Sequence, residues 1–144
     1  MKYLVIFFAI FAAGVWYVLN DGGSSSEDVV GLPPFISSYD SAMEKAKAAG
    51  KPAMLIFSAH WCPPCQMMKK KVYPSPEVAA LHDRFVWAYL DVDLPGTRAA
   101  AEQFKVSGIP AIFIVSPSGK ELGRQVGGSD AAAFARLLSS AAGS

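Results

Sequence analysis

The chain is poor in the residues that build metal centres. Its 144 residues include two cysteines and two histidines. There is no second Cys-x-x-Cys pair, so a four-cysteine zinc site is excluded. A Cys₂His₂ set is available by count, but His60 and His82 lack the paired-ligand spacing such sites use. Charge of one sign is also lacking. Thirteen basic residues against twelve acidic ones give a formal charge of +1, which supplies no basic face for nucleic acid. No internal repeat is visible, and the length suits about one domain.

The chain's excess is of apolar residues at its start. From Tyr3 to Leu19 no charge interrupts the run, which reaches the roughly 17–25 residues needed to cross a bilayer. Trp16 and Tyr17 stand near its outer end, where amphipathic rings favour the membrane interface. Lys2 lies on one side, and Asp21, Glu27 and Asp28 on the other, so the positive-inside rule exports the chain beyond Leu19. Residues 1–19 are read as an uncleaved membrane anchor, with a removed signal peptide as the alternative; both export the domain. Residues 20–34, with Gly22, Gly23, three serines and Pro33-Pro34, read as a flexible linker. Residues 35–144 then form the folded domain, placed in the periplasm or an equivalent extracytoplasmic space.

In that domain, Tyr39 to Ala49 is rich in helix formers and stops at Gly50 with Pro52 beyond. Pro52 to Ala59 is a short apolar run, expected as a strand buried on both faces. Helical spacing continues from Cys62 to Val72, and a second start is marked by Ser75 and Pro76. Strands are expected over Phe85 to Asp93 and Pro110 to Val115, with a helix over Thr97 to Lys105 between them. The turn Ser116 to Gly119 leads into an amphipathic edge strand, and a last helix runs from Asp130 to Ser140. Strands separated by helices predict parallel crossovers, and the closing turn predicts an antiparallel hairpin. The fold class is therefore α/β, a mixed sheet with helices on both faces.

The chemistry sits in "SAHWCPPCQMMKKK", Ser58 to Lys71. A structural staple across so short a loop removes little unfolded-state entropy. Thiol–disulfide exchange suits the pair better. Cys62 falls where a buried strand gives way to a helix, and free N–H groups at a helix start favour a thiolate. Cys62 is read as the attacking thiol nearer solvent, and Cys65 as the resolving thiol one turn inside. Pro63 and Pro64 suit a first helical turn, and Trp61 is read as a flat apolar wall beside the thiol. No cofactor is implied, because the dithiol is the whole redox centre. Met67 and Met68 read as packing residues, and Lys69 to Lys71 as a solvated helix face.

With these residues in place, the chain resembles the thioredoxin-fold family. "WCPPC" is similar to that family's W-C-x-P-C site, "SGIPAIFIV" (Ser107 to Val115) to its later proline loop, and "VGG" (Val126 to Gly128) to its glycine region before the last helix. Within the family, the chain looks most like the exported thioredoxin-like domains of thiol:disulfide interchange proteins. The resemblance implies a cis peptide before Pro110 and substrate-contacting or tuning roles for Trp61, Pro63, Pro64, Ile109 and Pro110. It also implies a protein-disulfide reductase that acts on exported disulfides, takes electrons from a thiol donor and works as a monomer. A disulfide oxidase or isomerase, a cytochrome c maturation reductase and a non-catalytic binding module are the alternatives.

Two departures from the family pattern matter. Ile56 and Tyr89 stand where a buried carboxylate and a lysine are common, so the usual proton acceptor for Cys65 is missing. His60 precedes Cys62 by two residues, where an acidic residue is common. As imidazolium it would stabilise the thiolate; as a neutral base it would take a proton; otherwise it merely fits the loop. If His60 acts on the thiol, a His60→Ala variant will shift the pH profile of Cys62 alkylation. An unchanged apparent pKa removes the role.

Overall fold

The computed structural model describes residues 29–143. The expected anchor, and residues 20–28 of the expected linker, lie outside them. Among the described residues no helix is long and apolar enough to cross a membrane.

Helix α1 (Tyr39–Ala49) begins at Ser38, whose hydroxyl accepts the Ser41 N–H at 3.4 Å, and ends at Gly50. Strand β1 (Ala53–Ser58) comes next, and all six of its residues are buried. Helix α2 (Pro63–Met67) leaves the active stretch and continues as a π-turn, Met68–Val72, closed by the Tyr73 N–H on the Met68 carbonyl at 3.0 Å. Helix α3 (Pro76–Ala79) is a single turn with proline at its start. Then come β2 (Val86–Asp91), α4 (Pro95–Gln103), β3 (Ala111–Val115), β4 (Glu121–Val126) and α5 (Ala131–Ala142).

Two helices are shifted from the sequence-based expectation at both ends, α4 running Pro95–Gln103 rather than Thr97 to Lys105 and α5 Ala131–Ala142 rather than Asp130 to Ser140. Helix α4 starts two residues earlier, because Pro95 takes the first-turn position that needs no N–H. Asp130 is not helical but caps α5, its carboxylate accepting the Ala133 N–H at 2.7 Å.

The sheet order is β2-β1-β3-β4. β1 and β2 are parallel, as the intervening helices predict. β3 departs from the simple crossover expectation: it lies on the other side of β1 and runs antiparallel to it, pairing Ile56 with Ile112. β3 and β4 form the expected hairpin. Alternation along the strands then splits the core in two. Leu55, Phe57, Ala88, Leu90 and Phe113 face α1 and α4, while Met54, Ile56, Trp87, Ile112 and Ile114 face α2, its π-turn and α5. Helices therefore cover both faces.

The end of the stretch expected as linker lies on the domain rather than away from it. Pro33 is buried and Leu32 packs on the second cluster. Phe35 meets the rings of Tyr73, Trp87 and Tyr89. Ile36 bridges to β2, donating its N–H to Trp87 and accepting from the Tyr89 N–H, both at 2.9 Å.

At the centre of this aromatic group Tyr73 is fully buried, and its hydroxyl has no hydrogen-bond partner. Burial pushes its phenol far above the ordinary value, and Tyr89 adds to the shift. The folded chain therefore holds the Tyr73 proton where the unfolded chain releases it, so stability falls as pH rises past about 10. Removing an unpaired buried hydroxyl relieves its desolvation cost. Tyr73→Phe is expected to raise urea-unfolding stability by about 1 kcal/mol at neutral pH and to flatten the alkaline decline.

Candidate functional site: a buried disulfide at the end of a central strand

The site is built by the turn that leaves β1. Ala59 accepts the Cys62 N–H at 3.3 Å and the side-chain amide of Gln66 at 3.2 Å, which ties the turn to the helix it precedes. Cys62 is the N-cap of α2 in extended conformation, and its sulfur accepts the Cys65 N–H at 3.4 Å. Cys62 and Cys65 are joined as a disulfide with Cα atoms 5.2 Å apart.

Pro63 and Pro64 take the first positions of the helix and are exposed. A helix start normally offers several unpaired N–H groups. The two prolines remove two of them, and the Gln66 N–H is taken by the Cys62 carbonyl at 3.1 Å. The Cys65 N–H is left as the first-turn donor to the Cys62 sulfur.

The expected contrast in access between the thiols is small. Cys62 is 3% exposed and Cys65 1%. Both pack with Ala59 against Val92 and Ile109, so the apolar cover of the pair comes from the end of β2 and the loop before β3. The Ile109–Pro110 peptide is cis, and Pro110 is buried with its carbonyl accepting the Gly127 N–H at 2.8 Å. Gly127 adopts φ +88°, a left-handed conformation that favours glycine. Gly128 comes close to α2: a Cβ there would sit 3.2 Å from the Met67 methyl and 3.7 Å from the Pro64 Cβ.

Trp61 precedes Cys62 at the surface of the turn. It is 59% exposed, and its indole N–H donates to Asp93 Oδ2 at 2.7 Å. His60 is more exposed still, and its Nδ1 lies 4.0 Å from the same oxygen. Asp93 is itself held in a tight turn, its N–H donating to Asp91 Oδ1 at 2.9 Å. Sequence reasoning missed this carboxylate. Its signal was the "DVD" at the end of β2, where alternation puts two acids on one side of the chain. The structure thus groups Cys62, Cys65 and Ile109 in one apolar cluster and turns Trp61 and His60 outward to Asp93. His82 belongs elsewhere, bonded to the Tyr73 carbonyl at 2.7 Å and stacked edge-on against Trp87.

Beneath the helix, Ile56 is fully buried and pairs with Tyr89 across the sheet. Two residues further along β1, the buried Ser58 hydroxyl meets the Tyr89 hydroxyl at 2.6 Å. Burial pushes the Tyr89 phenol upward, the Ser58 hydrogen bond opposes that, and Asp91 adds to the rise. Lys69 lies over the ring, 5.1 Å from its centroid. Among the described residues the buried polar side chains are Ser58 and Thr97, so no carboxylate lies buried behind the cysteines.

The sequence pattern of the thioredoxin-like domain matches residues 39–142, and the chain belongs to that family. It is 33% identical over 107 residues to thiol:disulfide interchange protein DsbD 1 of Pseudomonas aeruginosa, covering 72% of this chain and 18% of that protein. A thioredoxin H-type of Fagopyrum esculentum is 31% identical over 93 residues, with 64% of this chain and 74% of that protein covered. Among solved structures, a thioredoxin from Thermus thermophilus superposes with TM-score 0.67 at 32% identity, covering 76% of this chain and 86% of that one. The reduced C-terminal domain of DsbD from Neisseria meningitidis gives TM-score 0.60 at 28% identity, over 69% and 90% of the two chains. The chain thus spans under a fifth of the Pseudomonas interchange protein's length.

The Trp61–Asp93 bond joins exposed groups, so its loss should change stability by less than about 1 kcal/mol. Asp93→Ala is expected to make Trp61 more accessible to acrylamide quenching while the circular dichroism spectrum stays unchanged. Equal quenching in both proteins would show that Asp93 does not hold the indole.

Proposed function

We propose that this chain is a thiol–disulfide oxidoreductase that reduces disulfides of exported proteins. The observation that carries the reading is the Cys62–Cys65 pair itself, closed on a strand-to-helix turn and covered by Ile109 before a cis proline. In the reduced form, Cys62 attacks a client disulfide and takes one client sulfur into a mixed disulfide, and the other leaves as a thiol. Cys65 then attacks Cys62, re-forms the internal disulfide and releases the second client thiol. Two electrons pass to the client, and a thiol donor must return them. Pro63 and Pro64 hold the turn, and Trp61, Ile109 and Pro110 form the client's contact rim. His60, turned toward Asp93, bears on the rim's charge.

The first-turn prolines support the direction. Strong oxidants of this kind stabilise their reduced form, which means stabilising the thiolate. Here two amide donors are absent from the helix start, and the remaining stabilisation of the Cys62 sulfur rests on the Cys65 N–H. Fewer amide donors at the Cys62 sulfur weigh toward a reducing dithiol. The likeness to thiol:disulfide interchange proteins supports an extracytoplasmic setting, with residues 1–19 as the anchor and a tether after them that ends where Leu32 and Pro33 settle on the working domain.

Equilibration with glutathione should place the potential near the thioredoxin end of the scale, about −270 mV, and a value near about −120 mV would overturn the reductase direction. Replacing both cysteines by serine should abolish insulin reduction. A Cys65→Ser variant should hold clients as mixed disulfides on Cys62, which identifies them.

A further inference from the structure

Sulfur at this site is not confined to the cysteines. The described residues include four methionines, and they differ sharply in access: Met54 and Met68 are 0% exposed, Met43 8% and Met67 37%. Met68 points inward, and its sulfur accepts the Ser129 N–H at 3.3 Å. Met67 stands at the rim of the disulfide site, its terminal methyl against Gly128 beside Pro64.

The loop it touches is held on several sides. Gly127 donates to the Pro110 carbonyl, Ser129 donates to Met68, and the Gln125 side-chain amide donates to the Gly127 carbonyl and the Ser129 hydroxyl at 3.0 Å each. The Met67 methyl closes the side facing α2. It is so near that a single added carbon at Gly128 would already crowd it at 3.2 Å.

We infer that Met67 is a modification site for two-electron oxidants of the peroxide class, and that its sulfoxide loosens the Gly127–Ser129 loop beside the dithiol. A lone pair on the thioether sulfur takes one oxygen of hydrogen peroxide. The O–O bond breaks, an S–O bond forms and water leaves, so sulfur loses two electrons and the peroxide gains them. The new oxygen is polar and needs hydration, whereas the adjoining methyl lies toward Gly128, 3.2 Å from where a Cβ there would sit. The side chain turns outward and the methyl contact with Gly128 is lost. Burial protects Met54 and Met68 from the same reaction. In the disulfide form the cysteines present no thiolate to compete. The effect on turnover rests on the reductase reading above; the modification and the loosening do not.

The test uses the full chain in detergent, in its disulfide form, treated with hydrogen peroxide and then catalase. Peptide mapping is expected to find added oxygen at Met67 ahead of Met43, Met54 and Met68. Amide exchange at Gly127 and Ser129 should quicken about four-fold, the size of one lost methyl contact, and KM for a peptide disulfide should rise with kcat unchanged. Methionine sulfoxide reductase should reverse both changes. In Met67→Leu, peroxide should leave each readout at that variant's own starting value. Oxidation of another described methionine first, or Met67 sulfoxide with unaltered exchange at Gly127 and Ser129, overturns the inference. An untreated protein that reduces no disulfide overturns the reductase reading alone, because mapping and exchange still decide the site.

Discussion

Strand β1 is hydrogen-bonded along both edges and covered on both faces. The turn that leaves it inherits a fixed starting point and direction. Cys62 caps the helix four residues beyond the strand's last residue, so the position of its sulfur is set by the most constrained backbone in the molecule. The other parts of the site arrive from β1's two neighbours. Asp93 and Val92 come from the end of β2, and Ile109 with Pro110 from the start of β3. A site assembled from the carboxyl ends of β1 and β2 and the amino end of the antiparallel β3 needs no long loop to hold it.

The face beneath α2 shows the effect of a neutral interior. Ile56 fills the place of a carboxylate with hydrocarbon, and the hydroxyls of Ser58 and Tyr89 satisfy one another nearby. An ionised acid buried there would bring a large desolvation cost and a pKa of its own. A hydroxyl pair avoids a buried charge: burial pushes the Tyr89 phenol upward, so the pair stays uncharged across the ordinary working range. Among the described residues no buried carboxylate stands behind Cys65 to serve as an internal base.

Much of the fold was legible because its signals were local. The unbroken apolar run at β1, the proline starts of α2 and α3, and the tight turn before β4 each specify an element without help from elsewhere. The antiparallel entry of β3 was not legible, since it depends on which side of β1 a crossover selects, and no short-range pattern records that. At the site, the cysteine pair, the prolines and Ile109 were readable from spacing and resemblance. Asp93 was not singled out, because its partner Trp61 is 32 residues away and the bond exists only once β1 and β2 are side by side. The burial of Cys62 was missed for a similar reason. Its cover comes from Val92 and Ile109, and nothing adjacent in the chain announces them.

The bridge at Ile36 has a bearing on what the borders of the sheet offer to another chain. An extended polypeptide is in effect a strand without a sheet, and it will add to whatever edge offers free amides and carbonyls. On the β2 side that offer is partly withdrawn, because the chain's own Ile36 takes the Trp87 carbonyl and the Tyr89 amide. On the β4 side the edge carries a paired Glu121 and Arg124, a charged border that discourages neutral strands. With both borders of the sheet guarded, promiscuous pairing far from the sulfurs is suppressed. An extended chain therefore finds few free amides and carbonyls to add to along either border.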